Sequence, residues 1–177
     1  GGILRRGLAM ERADVAVITN VSADHFGEYG VDTLADLVDV KLAVAHVLGE
    51  TGTLVINADD TLLHAMAARR HSRIALFAAD DMHPALVSMR EQGGMTCGRV
   101  GDELWISRAG ERVCLGDVRN MPLTLNGEAH YNIANISAAA LAAAALGIPT
   151  AIIAATLSQF GQSRTDNPGR LNRWQLG

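Results

Sequence analysis

The stretch V-A-V-I-T-N-V-S-A-D-H, residues 15–25, decides how the chain is read. Val15, Ala16, Val17 and Ile18 are apolar without alternation, the pattern of a strand covered on both faces in a parallel sheet. Thr19 and Asn20 end the run, and Asp24 and His25 follow within one short loop. Ligands of open α/β sheets sit in the crevice beyond the carboxyl ends of the strands. A carboxylate and an imidazole there can hold a metal or a phosphate-bound water. The same residues also suit a plainer role, with Asp24 capping a turn and His25 an ordinary loop histidine.

Working outward, the grammar repeats. Asp32 or Thr33 can cap a helix running to about Leu48, whose Leu34, Leu37, Val38, Ala45 and Leu48 recur at three- and four-residue steps. Gly49 is expected to stop it in the left-handed conformation. Residues 53–56 form a second apolar strand, with Asn57-Ala58-Asp59-Asp60 at its carboxyl end. A helix over 61–70, a strand over 73–77 and a short helix over 84–92 continue the parallel α/β rhythm. From Met95 the pattern changes. Residues 103–107 and 112–115, separated by a turn with Gly110, read as a β-hairpin. They are expected to form a small antiparallel flap beside the main sheet, with 121–125 as one more edge strand. Two helices, 128–147 and 150–160, follow. Residues 161–169 have linker composition, and 171–176 are placed to start a strand of a following domain.

Composition narrows the function classes. The chain has 177 residues, 49% of them apolar, with a net charge of −4. Nothing basic invites nucleic acid, and aromatics at 4% offer no stacking platform for a run of bases. Cys97 and Cys114 lack metal-ligand spacing and read as reduced thiols of a cytoplasmic protein. Residues 136–157 approach the length of a membrane span, but Gly147-Ile148-Pro149 breaks them into two packed helices. Residues 1–7 carry two arginines and no apolar stretch of a signal peptide.

Three further positions carry chemistry. Lys41 falls on the apolar face of its helix, where an ammonium is costly without a partner, unless its stem snorkels to the edge. Asn132 and Asn135 are three apart at the start of the alanine-rich helix and share a face. An amide offers both donor and acceptor to a purine edge, and either asparagine could instead cap the helix. Glycine-rich phosphate loops, GxGxxG, G-x-S-x-G and H-E-x-x-H strings are all absent.

Taken in order, G-G-I-L-R-R-G-L at 1–8, V-I-T-N-V-S-A-D-H at 17–25, Lys41, N-A-D-D at 57–60, H-Y-N-I-A-N at 130–135 and N-P-G-R-L-N at 167–172 resemble the Mur ligase family. The first and last of these favour its cyanophycin synthetase branch. The resemblance implies an α/β fold, a mainly parallel sheet flanked by helices, with 1–160 as the ATP-binding central domain lacking its first part. Residues 161–169 would then be the linker, and 170–177 the start of the C-terminal domain. It implies an ATP-dependent ligase, using Mg2+, that joins arginine to the side-chain carboxylate of a poly-aspartate backbone through an acyl phosphate. His25 would match the magnesium-ligating histidine, and Lys41 the position of a lysine that several members carry carbamylated beside a second metal. Asn132 and Asn135 would match the pair that reads adenine, and Arg170 the arginine that reaches the phosphates on closure. Asn57 would lie in the loop near the nucleotide. The phosphate loop ordinarily precedes the first motif, so the chain by itself is expected to be inactive and its parent a homo-oligomeric enzyme. Peptidoglycan or folylpolyglutamate ligases, and a non-catalytic α/β scaffold, are the alternatives.

Overall fold

The computed structural model describes residues 7–22, 27, 30–71, 73–163 and 166. Alternating apolar runs and capped helices generate one six-stranded sheet in which strand order follows chain order. Its strands are β1 (Ala13–Ile18), β2 (Leu48–Asn57), β3 (Ile74–Phe77), β4 (Thr96–Val100), β5 (Glu103–Arg108) and β6 (Glu111–Asp117). Strands β1 to β4 pair in parallel, and β5 and β6 join antiparallel.

Each parallel step is crossed by one helix: α1 (Leu34–Leu42, continued by a 3-10 segment Ala43–Val47), α2 (Thr61–Ala68) and α3 (Pro84–Glu91). Right-handed crossovers that always move to the next neighbour put all three helices on one face. Successive strand residues point to opposite faces. Accordingly, Leu54 and Ile56 pack with Val38, Leu42, Leu63 and Leu86 on the crossover side. Val55, Phe77 and Cys97 meet Ile133, Ile136 and Leu141 of α4 (His130–Ala145) on the other, with Ile153 of α5 (Thr150–Gln159). The sheet is thus sandwiched between two helical layers, as the apolar β-strands demand.

The caps come from the residue types that favour them. Thr33 and Asp36 form a reciprocal capping box at α1, the Thr33 hydroxyl accepting the Asp36 N–H at 3.2 Å and Asp36 accepting the Thr33 N–H at 2.8 Å. His83 caps α3 through Nδ1, which accepts the Ala85 N–H at 3.2 Å, with Pro84 in the first turn.

Several expectations are corrected. Gly49 does not end a helix; it lies extended inside β2, which starts at Leu48, and α1 has already tightened into the 3-10 segment. The register jumps from Ala13↔Leu48 to Val15↔Thr53, so residues 49–52 bulge, which the two glycines permit. The antiparallel pair is no separate flap: β4 pairs with β3 at Leu76↔Thr96 and Phe77↔Cys97, and carries β5 and β6 as a continuation of the same sheet. Gly98 makes that junction, since a Cβ there would stand 2.6 Å from Asp81 Cα. Residues 121–125 form no strand; Pro122, without an N–H and with φ fixed, opens a 3-10 turn, Pro122–Thr124. At the sheet edge β1 is covered fully on one face only, and Val17 remains 41% exposed. Residues 136–157 are two helices parted at Gly147, and no helix among the described residues is long and apolar enough to cross a membrane. The expected linker falls partly, and the start of the following domain wholly, outside the described residues.

Candidate functional site

The carboxyl ends of β1, β2 and β3 are stitched together by one loop. Asp60, the N-cap of α2, accepts the Leu63 N–H with one oxygen at 3.0 Å. Its other oxygen accepts the N–H of Val21, beyond the end of β1, at 2.8 Å. Asp59 reaches the opposite way and accepts the N–H of Ala79, beyond β3, at 2.7 Å. Asn57 closes the loop on itself, its side-chain oxygen accepting the Asp59 N–H at 3.0 Å. The N-A-D-D string therefore aligns three strand ends, a tertiary role that its composition does not announce.

Lys41 enters the same edge from α1. Its stem leaves the apolar face and Nζ donates to the Asn20 carbonyl at 3.1 Å, so the ammonium is partnered at the rim of the core. The snorkelling geometry thereby accounts for a lysine on that face. It also ties Lys41 to the loop that carries Asp24 and His25 in the sequence. His25 itself, the expected magnesium ligand, and Arg170, the expected phosphate-reaching arginine, lie outside the described residues. Among the described residues, no group of three His, Cys, Asp or Glu side chains is arranged to hold a metal.

Helix α4 runs against the direction of β1 to β4. Near its C-terminal end, the Ala144 carbonyl accepts from Arg108, at the end of β5 beside the start of β4. Its first turn lies instead by the segment after β6, whose Val118 N–H donates to Asp102 just beyond β4. Asn132 and Asn135 thus stand at the carboxyl edge of the parallel strands, as do Asn20, Lys41 Nζ and Asn57. Neither asparagine caps the helix: Ala129 occupies the N-cap position without a side-chain bond. Asn132, 9% exposed, donates its amide to the Leu123 carbonyl at 2.8 Å. Its oxygen accepts from the Asn135 amide at 3.4 Å.

The segment that sets this first turn is wound tightly. Leu125, Asn126 and Gly127 are consecutively left-handed, with φ of 53°, 61° and 86°. The buried Thr124 hydroxyl holds them, donating to the Met121 carbonyl at 2.7 Å and accepting the Gly127 N–H at 3.2 Å. Three left-handed residues, two of them not glycine, are costly and persist only where the surroundings impose them.

Two features of this region escape the sequence reading. Tyr131 is 61% exposed and four residues before Asn135, a spacing that puts its ring on that side chain's face. Asp81, which the sequence shows only as half of an acidic pair, is 1% exposed. It binds Arg90 at 3.1 Å and Arg112 at 2.6 Å, while Arg112 also lies 4.6 Å over the Trp105 ring. That cluster ties the connection after β3 to α3 and to β6.

Comparison with known proteins locates the fold. A family model described as the Mur ligase middle domain matches residues 4–143. Cyanophycin synthetase of Synechocystis sp. is 34% identical over 177 residues, all of this chain and 20% of that protein. Cyanophycin synthetase of Nostoc sp. is 36% identical over the same span, again 20% of its length. The UDP-N-acetylmuramoylalanine--D-glutamate ligase of Symbiobacterium thermophilum is 29% identical over 150 residues, 82% of this chain and 29% of its own. The chain therefore spans about a fifth of the length of the cyanophycin synthetases it matches.

Proposed function

The chain belongs to the Mur ligase middle-domain family, and from that premise we propose that it forms the nucleotide-handling centre of an ATP-dependent amide ligase of the cyanophycin synthetase type. Its parent joins arginine to the side-chain carboxylate of a poly-aspartate backbone through an acyl phosphate. What carries the reading is the extent of the likeness: it runs through all 177 residues in the cyanophycin synthetases and over 82% of the chain in the D-glutamate ligase. The edge geometry supports it, with an ammonium, two amides and the aligned strand ends on one rim.

The residue chemistry fits ATP. The amides of Asn132 and Asn135 suit a purine edge, and Lys41 brings a cation to the β1 loop. A carbamylated Lys41 would keep an N–H for the Asn20 carbonyl, so the observed contact serves either form. His25 is the residue assigned to Mg2+, and Arg170 to the phosphates. When bound, ATP supplies the phosphoryl group and Mg2+ neutralises its charge, chemistry that depends on positioned cations rather than on a side-chain nucleophile.

The test replaces the matching segment of the Synechocystis cyanophycin synthetase with this chain and measures ADP formation. Turnover that requires arginine and a poly-aspartate acceptor, and that His25→Ala abolishes, is the expected result. Turnover that requires D-glutamate and a UDP-N-acetylmuramoyl acceptor instead would move the chain to the peptidoglycan branch. A folded chimera without turnover under either condition would overturn the enzymatic reading.

A further inference from the structure

At the end of β1 and β2 opposite to the rim, the bulge at 49–52 opens a cavity of about 490 Å³. Between the pairs Ala13↔Leu48 and Val15↔Thr53, the surplus residues of β2 have no partner positions on β1, and their backbone leaves the line of the strand. The loop is held in that shape. Arg73, on the approach to β3, donates from Nη1 to the Thr51 carbonyl at 3.1 Å. A Cβ at Gly52 would stand 3.0 Å from Leu48 Cβ, so only glycine closes the bulge there.

Glu11, Arg12, His46, Glu50 and Thr51 line the cavity together with the bulge backbone. The Arg12 guanidinium is laid against that backbone, its Nε and Nη2 being 3.6 and 3.7 Å from where a Gly49 Cβ would stand. Three of these side chains are charged, and they do not satisfy one another. Arg12, Glu11 and Glu50 share the hollow yet form no ion pair, either together or with any other described residue. Arg70 behaves differently, closing on Asp39 at 2.6 Å. One positive and two negative charges left open in one cavity complement a ligand with the reverse set. A free basic amino acid carries it: one α-carboxylate, one α-ammonium and one cationic side chain.

The geometry points to a binding site for a free basic amino acid, arginine or lysine, in this cavity. Arg12 takes the α-carboxylate, for which a guanidinium offers two parallel N–H groups. Glu11 and Glu50 take the two cations, and Thr51 adds a hydroxyl at the wall. On the ligase reading above, arginine thus has a second place on the parent, at the far end of the strands from the rim of Lys41, Asn57 and Asn132. The site does not depend on that reading, since its open charges alone select the ligand.

The experiment titrates the 15N-labelled chain, to tens of millimolar, with arginine, with lysine and with three arginine analogues that each lack one charge. Agmatine has no carboxylate, citrulline has a neutral urea for the guanidinium, and Nα-acetylarginine has no ammonium. Backbone amide resonances of residues 46–51 are followed. Half-saturation with arginine and lysine is expected at a concentration about fivefold below that of each analogue, the order of one lost exposed charge pair. Arg12→Gln should bring arginine to the level of agmatine. Glu11→Gln combined with Glu50→Gln should weaken arginine by more than it weakens citrulline. All three side chains are exposed, so an unchanged thermal midpoint is expected of the variants. Equal response to arginine, agmatine and citrulline would overturn the inference, as would an arginine response that survives in Arg12→Gln. So would the absence of any movement at residues 46–51. None of these results bears on the chimera, whose turnover tests the ligase reading by itself.

Discussion

The Asp60 carboxylate holds the N–H of Val21 at 2.8 Å, joining two strand ends separated by 39 residues of chain. The same group caps α2. Asp60→Ala removes both acceptors and is expected to destabilise the fold by about 2 kcal/mol, the sum of a lost cap and an unpaired N–H. Thermal unfolding should show a midpoint lower by about 4–8 °C. A midpoint within a degree of the parent would mean that the strand ends need no stitch.

Lys41 separates stability from function. Lys41→Met keeps the stem along α1 and removes only the atom bound to Asn20 at 3.1 Å. Its effect on unfolding is expected to stay below about 1 kcal/mol, since a partly exposed hydrogen bond is worth little more. Ligase turnover in the chimera should fall by about a hundredfold or more. A variant that retains most of its turnover would remove Lys41 from the chemistry.

Asp81 presents the opposite case. Removing a carboxylate that is 1% exposed leaves Arg90, whose side chain is 20% exposed, with an uncompensated charge. Asp81→Ala is expected to cost about 3 kcal/mol, and the chain should unfold at lower urea. Arg112, 42% exposed, can return to water and softens the loss. An unchanged urea midpoint would show that the cluster contributes nothing net.

Mild acid should weaken the fold through two histidines. Burial first, then the neighbouring His83, lowers the His64 pKa below 6.5; burial first, then His46 and Arg70, lowers that of His71. In both, the unfolded chain binds the proton more readily. Their contribution is therefore complete above about pH 6.5 and is lost as pH falls from there toward the folded pKa. Asp36 and Asp117, both lowered from 3.8, contribute fully above that value and lose their contribution only as pH falls below it. Thermal midpoints should decline between pH 7.5 and 5.5, and His64→Gln should flatten part of the slope. A flat profile in the unaltered chain would refute the assignment.

The two thiols should differ in reactivity. Burial pushes the Cys97 thiol up to about 12, whereas Cys114 is only half-buried. Since the thiolate is the reacting species, iodoacetamide at pH 8 should modify Cys114 alone in the folded chain and both residues in urea. Rapid labelling of Cys97 without denaturant would show that the α4 side of the sheet opens.

Much of this was legible from local signals. The apolar runs, their polar ends, Thr33 and Pro84 mark the βα units within a few residues. The first half of β2 was not legible, because Gly49, Glu50, Thr51 and Gly52 have turn chemistry and bulge between the Leu48 and Thr53 pairings with β1. Thr96–Val100 was missed for a related reason: Gly98 is there to admit the Asp81 backbone, a tertiary demand. At the rim, residue types showed in the motifs. Which acceptor served which donor did not, because Asp60 and Val21, or Leu123 and Asn132, meet only after the sheet and α4 are in place. Asp81 shows in the sequence only as half of an acidic pair, since its arginines arrive from α3 and β6.

Strand order equal to chain order has a consequence for biosynthesis. As the nascent polypeptide leaves the ribosome, each of β2 to β6 finds a lateral neighbour already present, so no gap among these six strands must be kept open for a later arrival. The layer of α4 and α5 follows β6 and closes over an assembled platform. These six strands can therefore pair in the order of their synthesis, and the rim that α4 completes is finished only when translation has passed it.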